Sequence, residues 1–299
     1  MITATGLTKC FDGFTALDKF NTEISEGSIY GLVGSNGSGK STLLRTICGI
    51  YRPDEGEIFI DGEKPFENIS VKNHISFVAD DLYFLPNSTM NDMANFLAGL
   101  YPGFSMEAYH TMCARFPIEP DKKINNFSKG MKRQVSLVLA LACRPAYLLL
   151  DEAFDGLDPI IRGALRKILA DQIAERGMTV IIASHNLREL EDLCDVMGLL
   201  HQGKIVFERE IDEVKLGFCK VQAGFRQVPP QEVLRPLNVM QLEQTGSVLN
   251  LVVRGNSEEV LRYMNTLAPF FVETVPLTLE EVFIHEMEAQ GYDYNKIIF

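Results

Sequence analysis

The 299-residue chain has no run approaching the roughly 20 consecutive apolar residues that a membrane-spanning helix needs. Its longest apolar stretches, such as Val135 to Cys143, are short and carry a polar residue. The opening Met-Ile-Thr-Ala-Thr-Gly lacks a charged segment followed by an apolar one, so no secretory signal is expected. A cationic surplus is also missing: 28 Lys and Arg stand against 40 Asp and Glu, a net charge of −12. Binding along a phosphate backbone needs the opposite balance, which argues against a nucleic-acid partner. The six cysteines (Cys10, Cys48, Cys113, Cys143, Cys194, Cys219) form no Cys-x-x-Cys pair, and buried reduced thiols are expected. No repeat or low-complexity tract is visible. These absences together predict a cytoplasmic protein.

What is present is the balance of a globular chain, 46% hydrophobic and 23% charged, long enough for two domains. Early on, short apolar strands alternate with helical patterns, which predicts a largely parallel α/β sheet. Ser28 to Val33, Tyr147 to Leu150 and Thr179 to Ala183 read as strands, and Lys40 to Cys48 as a helix. A helical stretch over about 85–145 is inserted among them. There Thr89-Met-Asn-Asp92 has the form of a capping box, followed by Met93, Phe96, Leu97 and Leu100 at one-face spacing. That stripe suits a helical core or a docking surface. Pro102-Gly103 ends the helix, and a second pattern runs from Met106 to Phe116. The texture changes after Leu216, where Val228-Pro229-Pro230 and the strand-like runs Val248 to Val253 and Phe270 to Val275 surround a helical Ser257 to Leu267. Thr278-Leu-Glu-Glu281 opens a final helix. We expect a first domain over 1–216 and a small α+β domain over 217–299.

Gly34-Ser-Asn-Gly37-Ser-Gly39-Lys40-Ser41 fits G-x-x-x-x-G-K-[ST], placed after an apolar strand and at a helix start. Glycines let the backbone wrap phosphates, and the helix N-terminus adds partial positive charge. Ser35, Asn36, Gly37, Ser38, Gly39, Lys40, Ser41 and Thr42 are therefore candidate ATP-binding residues. Lys40 would reach the β- and γ-phosphates and the Ser41 hydroxyl would ligate Mg²⁺. A second pair, Asp151-Glu152, ends the apolar run Tyr147 to Leu150. Acids at the end of a buried strand need a cation, so Asp151 is a candidate Mg²⁺ ligand. Glu152 projects differently and is a candidate base for the attacking water.

Phe127-Ser128-Lys129-Gly130-Met131 precedes a helical run and lies just upstream of the acidic strand. In this order the pieces resemble the ABC-type ATPase family, whose signature is usually written Leu-Ser-Gly-Gly-Gln. The resemblance covers about residues 1–215. It implies an α/β P-loop NTPase core with an inserted helical subdomain, here followed by the small C-terminal domain. It implies that Ser128, Lys129 and Gly130 cap the ATP held by a partner subunit in a head-to-tail dimer. Lys129 and Met131 depart from the usual glycine and glutamine. Asp158, in Asp155-Gly-Leu-Asp158, resembles the acid of the dimer-contacting loop, and His185 the switch histidine that contacts the γ-phosphate. Phe11 resembles the aromatic that stacks on adenine, with Phe14 as its competitor. Asp80, in Ile75-Ser-Phe-Val-Ala-Asp80-Asp81, stands where a glutamine is usual and would hold a water on Mg²⁺; Asp81 is the alternative register.

The resemblance further implies an ATPase, peripheral on the inner face of the cell membrane, that pairs as a homodimer or with a related chain. It would drive a separate transmembrane permease. Leu279-Glu-Glu-Val-Phe283 near the end is similar to tails of bacterial exporter ATPases for drugs, bacteriocins or amphipathic peptides. The rival readings are a soluble ABC ATPase with a regulatory or non-transport role, and an ATP-binding module without useful hydrolysis. One cassette and no heptads weigh against ribosome or chromosome work, and intact Glu152 and His185 against the silent module.

Overall fold

The computed structural model describes residues 1–191 and 193–289, with the side chains of 214–216 and 285–289 left aside. The chain divides into two compact units, Met1–Glu208 and Arg209–Phe299, ahead of the boundary expected at 216.

The first unit opens with β1 (Ile2–Phe11), β2 (Phe14–Ile24), β3 (Ile29–Val33), α1 (Lys40–Ile47), β4 (Glu55–Ile60), α2 (Ile69–Lys72) and β5 (Ile75–Val78). The helical insert follows as α3 (Met90–Leu100), α4 (Met106–Cys113) and α5 (Lys129–Ala142). Then come β6 (Tyr147–Asp151), α6 (Pro159–Arg176), β7 (Thr179–Ser184), α7 (Leu187–Leu190), β8 (Val196–His201) and β9 (Lys204–Glu210), whose last two residues belong to the second unit. A six-stranded sheet runs in the order β5-β6-β7-β3-β8-β9. Its inner pairings are parallel, with Val33 opposite Ser184 and Asp151 opposite Ala183. Every residue of β3, β6 and β7 is buried, the pattern of a parallel sheet covered on both faces. That register sets the carboxyl ends of β3, β7 and β6 side by side, where open α/β sheets bind ligands.

A second, antiparallel sheet, β2-β1-β4, shares a core with α1 through Leu7, Leu17, Phe20, Leu43 and Leu44. Its β1–β2 hairpin turns at Asp12-Gly13, both at positive φ, the chemistry that a tight two-residue turn requires. The insert's helices are capped as their sequences demand. Thr89 and Asp92 exchange the two bonds of a capping box, at 2.8 and 3.1 Å. Ser105 caps α4 and Ser128 caps α5. The apolar stripe on α3 is core only in part: Met93 is buried, whereas Phe96 is 46% and Leu100 56% exposed. The Met106–Phe116 helix stops at Cys113. Cys10 is exposed, against the expectation of buried thiols throughout, while burial pushes the Cys48 thiol up to about 12.

The second unit contains α8 (Ile211–Leu216), β10 (Phe218–Gly224), β11 (Val239–Thr245), β12 (Val248–Arg254), α9 (Ser257–Thr266), β13 (Phe271–Val275) and α10 (Leu279–Ala289). Its strands form an antiparallel sheet in the order β11-β12-β10-β13. Val221, Leu251, Val260 and Met264 close its core. The Thr278–Glu281 capping box is present, and Glu281 also pairs with Lys220 at 2.6 Å.

Candidate functional site

The loop leaving β3 turns into α1 through Gly37 and Gly39, at φ 81° and 112°. A Cβ on Gly39 would meet the Ala16 carbonyl oxygen at 2.4 Å, so only glycine fits the turn. Gly39 caps α1 with no side chain, and no acid sits in the helix's first turn. The first N–H groups of α1 are thus offered to an anion. Lys40 folds back, its Nζ donating to the carbonyls of Gly34 (2.6 Å) and Ser35 (3.2 Å). At 5% exposure its ammonium loses solvation, which lowers its pKa; Glu152 and Asp151 oppose that shift.

Glu152 occupies the left-handed region at φ 50°, a strained conformation for a residue with a side chain. Its N–H donates to the Ala183 carbonyl at 2.9 Å, fixing the end of β6 against β7. The turn aims the carboxylate between Lys40 and His185. Oε1 lies 3.5 Å from Lys40 Nζ, and Oε2 is hydrogen-bonded to His185 Nδ1 at 2.9 Å. Asp151 differs in kind. It is 1% exposed, and neither of its carboxylate oxygens has a hydrogen-bond partner. Burial pushes its carboxyl above the usual carboxylate range; the nearby Ser41 hydroxyl opposes this, and Glu152 and Asp80 add to it. A buried, unpartnered carboxylate beside a serine hydroxyl is a donor set short of a cation.

A cavity of about 250 Å³ opens over these groups. Phe11, Phe14, Asn36, Gly37, Gly39, Lys40, Ser41, Thr42, Asp80 and Glu152 line it. Both aromatics of the Asp12-Gly13 hairpin reach it. Phe11 packs edge-on against Tyr51 with ring centroids 5.1 Å apart, and Phe14 keeps more of its ring open. Ser35 and Ser38 do not line it. Ser38 spends its N–H on the Ser35 carbonyl at 3.1 Å and buries its hydroxyl behind the loop.

Ser128, Lys129, Gly130 and Asp158 do not line this cavity. Ser128 and Asp158 work as helix caps, Asp158 accepting from the N–H groups of Ile160 and Ile161, each at 3.0 Å. Gly130 lies against the loop after β6, where a Cβ would meet the Gly156 carbonyl oxygen at 2.7 Å. Lys129 pairs with Asp155 of that loop at 3.0 Å and holds its carboxyl below the usual range.

Two supports escape sequence reasoning. Arg133, fully buried on α5, donates to Asp80 Oδ1 at 3.0 Å. Glu189 accepts from Ser184 Oγ at 3.2 Å and pairs with Arg162 at 3.1 Å, bracing the turn that carries His185. Neither lies in a motif, and each meets its partner only through the fold.

A glycine-rich loop, a helix N-terminus and an acid pair at adjacent strand ends define a P-loop nucleotide-binding protein. Residues 17–155 match the family described as ABC transporter. The chain is 34% identical over 284 residues to the ABC transporter ATP-binding protein YtrB of Bacillus subtilis (strain 168), covering 95% of this chain and 97% of that protein. It is 32% identical to the bacitracin transport ATP-binding protein BcrA of Bacillus licheniformis, over 72% of this chain and 71% of that one. The dimeric structure of a bacterial ABC transporter cassette superposes with a TM-score of 0.65 at 25% identity, over 71% of this chain and 99% of that one. The chain belongs to the ABC transporter ATP-binding proteins, and ATP hydrolysis is the activity characteristic of that family.

Proposed function

We propose that this subunit powers export of a drug or peptide through a separate transmembrane permease, working as a homodimer on the inner face of the membrane. The observation that carries the catalytic half is the convergence of Lys40, Glu152 and His185 beside the unpartnered Asp151. Phosphate entering the cradle competes for Lys40 and releases Glu152 Oε1 to accept a proton from water. His185 keeps its hold on Oε2, so the freed oxygen stays oriented. The strained backbone of Glu152 holds it at that post.

Mg²⁺ fits the donors. Such a cation is commonly held by one or two carboxylates together with substrate phosphates. Ser41, Asp151 and Asp80 would hold it, and it would neutralise phosphate charge. Asn36, Gly37, Gly39 and Thr42 would complete the cradle, with Phe11 or Phe14 against the adenine. Ser128, Lys129 and Gly130 would cap the partner's nucleotide, and Asp158 would sit at the contact between subunits. In this reading residues 217–299 form an accessory domain.

Export rests on the likeness to a bacitracin transport protein and on the need for a membrane partner. Among the described residues no helix is long and apolar enough to cross a membrane. A groove of about 170 Å³ lined by Tyr83, Met93, Leu97 and Tyr101 suits a short segment of that partner. Purifying the tagged chain from mild detergent should recover one integral membrane protein that stimulates its ATPase. Recovery of none, with full activity in the soluble fraction, would favour the non-transport reading.

A further inference from the structure

Arg133 is among the largest fully buried side chains of the described residues, and its guanidinium is not spent inside the core. Nη2 donates to Asp80 Oδ1 at 3.0 Å and Nη1 to the Asp151 backbone carbonyl at 3.4 Å, while Nε has no partner. One rigid fork therefore touches the loop after β5 and the end of β6 from helix α5, the helix that Ser128 caps. Burying a charge costs several kcal/mol unless it is well paired. A prop for α5 alone would be cheaper in apolar atoms. This cation instead ends on an acid that is 57% exposed and lines the nucleotide cavity.

We propose that Arg133 is a positioning residue that holds the Asp80 carboxylate at the cavity rim and sets how much of its charge reaches the divalent cation bound with ATP. The inference rests on Asp80 and Asp151 being the acids that face this cation. Its consequences have signs. Without Arg133 the Asp80 charge is uncompensated, so the cation is held more tightly and metal-free nucleotide less tightly. Neutralising Asp80 does the reverse. With Asp80 already neutral, Arg133 has nothing to moderate.

The test is binding of a non-hydrolysable ATP analogue to the full chain, titrated with Mg²⁺ and repeated in a chelator. Wild type, D80N, R133Q, R133K and the double variant D80N/R133Q are compared. R133Q should lower the Mg²⁺ concentration for half-maximal binding by about three- to tenfold and weaken binding in chelator, and D80N should shift both the other way. In the D80N background R133Q should move neither. Equal shifts in both backgrounds would reduce Arg133 to a prop for α5 and overturn the proposal. R133K, which keeps the charge without the fork, should shift the Mg²⁺ requirement less than R133Q does; if R133Q fails to fold by thermal melting, the uncharged R133M and the double variant D80N/R133M decide by the same criterion. D151N is the separate control. If it leaves the Mg²⁺ requirement unchanged, the reading of Asp151 fails, whereas additive Asp80 and Arg133 effects with an intact D151N response sink this inference alone.

Discussion

Among the described residues, every buried polar or charged side chain lies in the first unit, and none in the second. Among the described residues, the buried and unpartnered side-chain oxygens of Ser38, Ser76, Gln134 and Asp151 fall on the same side of that division. The second unit instead closes a core of Val221, Leu251, Val260 and Met264, with its charges at the surface or half-buried, as in the Lys220–Glu281 pair. Folding alone does not favour Asp151 as it stands, because an unmet buried carboxylate is a cost. A unit that carries such costs is shaped for something that arrives later. A unit free of them is shaped by packing.

The sharpest way to break this contrast is at Glu152. In E152Q, hydrolysis should fall by about 10²- to 10⁴-fold with nucleotide binding retained and the paired form accumulating. Phosphate release and light scattering read the two effects, and turnover within tenfold of wild type would remove Glu152 from the chemistry. The second unit should respond in stability alone. Met264→Ala opens a cavity in its core and should cost about 2–5 kcal/mol, visible by calorimetry. Nucleotide binding should persist, since the described residues that line the cavity, Phe11 to Glu152, all belong to the first unit.

Asp151 tests the contrast from the opposite side. Its folded pKa is raised by burial, so as pH climbs past the ordinary carboxylate range the unfolded state ionises first and stability declines. Asp151→Asn removes that penalty. The metal-free protein should gain about 1–3 kcal/mol at neutral pH, a few degrees in Tm, and its stability should fall less as pH rises. The same change should abolish the Mg²⁺ requirement for nucleotide binding. A core substitution that stabilises while it disables marks a residue kept for its ligand.

How far the sequence reveals these features follows from how local each one is. Lys40, Ser41, Asp151 and Glu152 are legible because loop, strand and acid pair are contiguous and the flanking strands are wholly apolar. The capping boxes at Thr89 and Thr278 are legible for the same reason. The β2-β1-β4 sheet is not among the expectations, although Asp12-Gly13 is a hairpin signal that would have found its turn and joined Phe11 to Phe14. Asp80 with Arg133 is different. The residues are 53 positions apart and meet only when α5 packs beside β5, so no local pattern announces them. The exposed Phe96 and Leu100 show the converse: helical spacing alone leaves a core and a docking surface both open for this stripe, and only the fold separates the buried Met93 from its exposed neighbours.

The smallest effect belongs to Lys129, and it separates surface chemistry from surface stability. Lys129 and Asp155 are both well exposed, and such pairs contribute about 0–1 kcal/mol. Lys129→Ala should therefore leave Tm nearly unchanged. Yet the side chain stands at the uncapped-by-acid N-terminus of α5, where a cation and helix N–H groups together attract an anion. If that anion is the partner subunit's nucleotide, the ATPase of K129A should be normal at low protein concentration and fall short only where wild-type subunits pair and accelerate. A rate deficit that does not depend on concentration would place Lys129 on its own subunit's site. A large fall in Tm would make the Lys129–Asp155 pair a brace for the loop after β6. Only the concentration-dependent deficit assigns this exposed lysine to a site completed by a second copy of the chain.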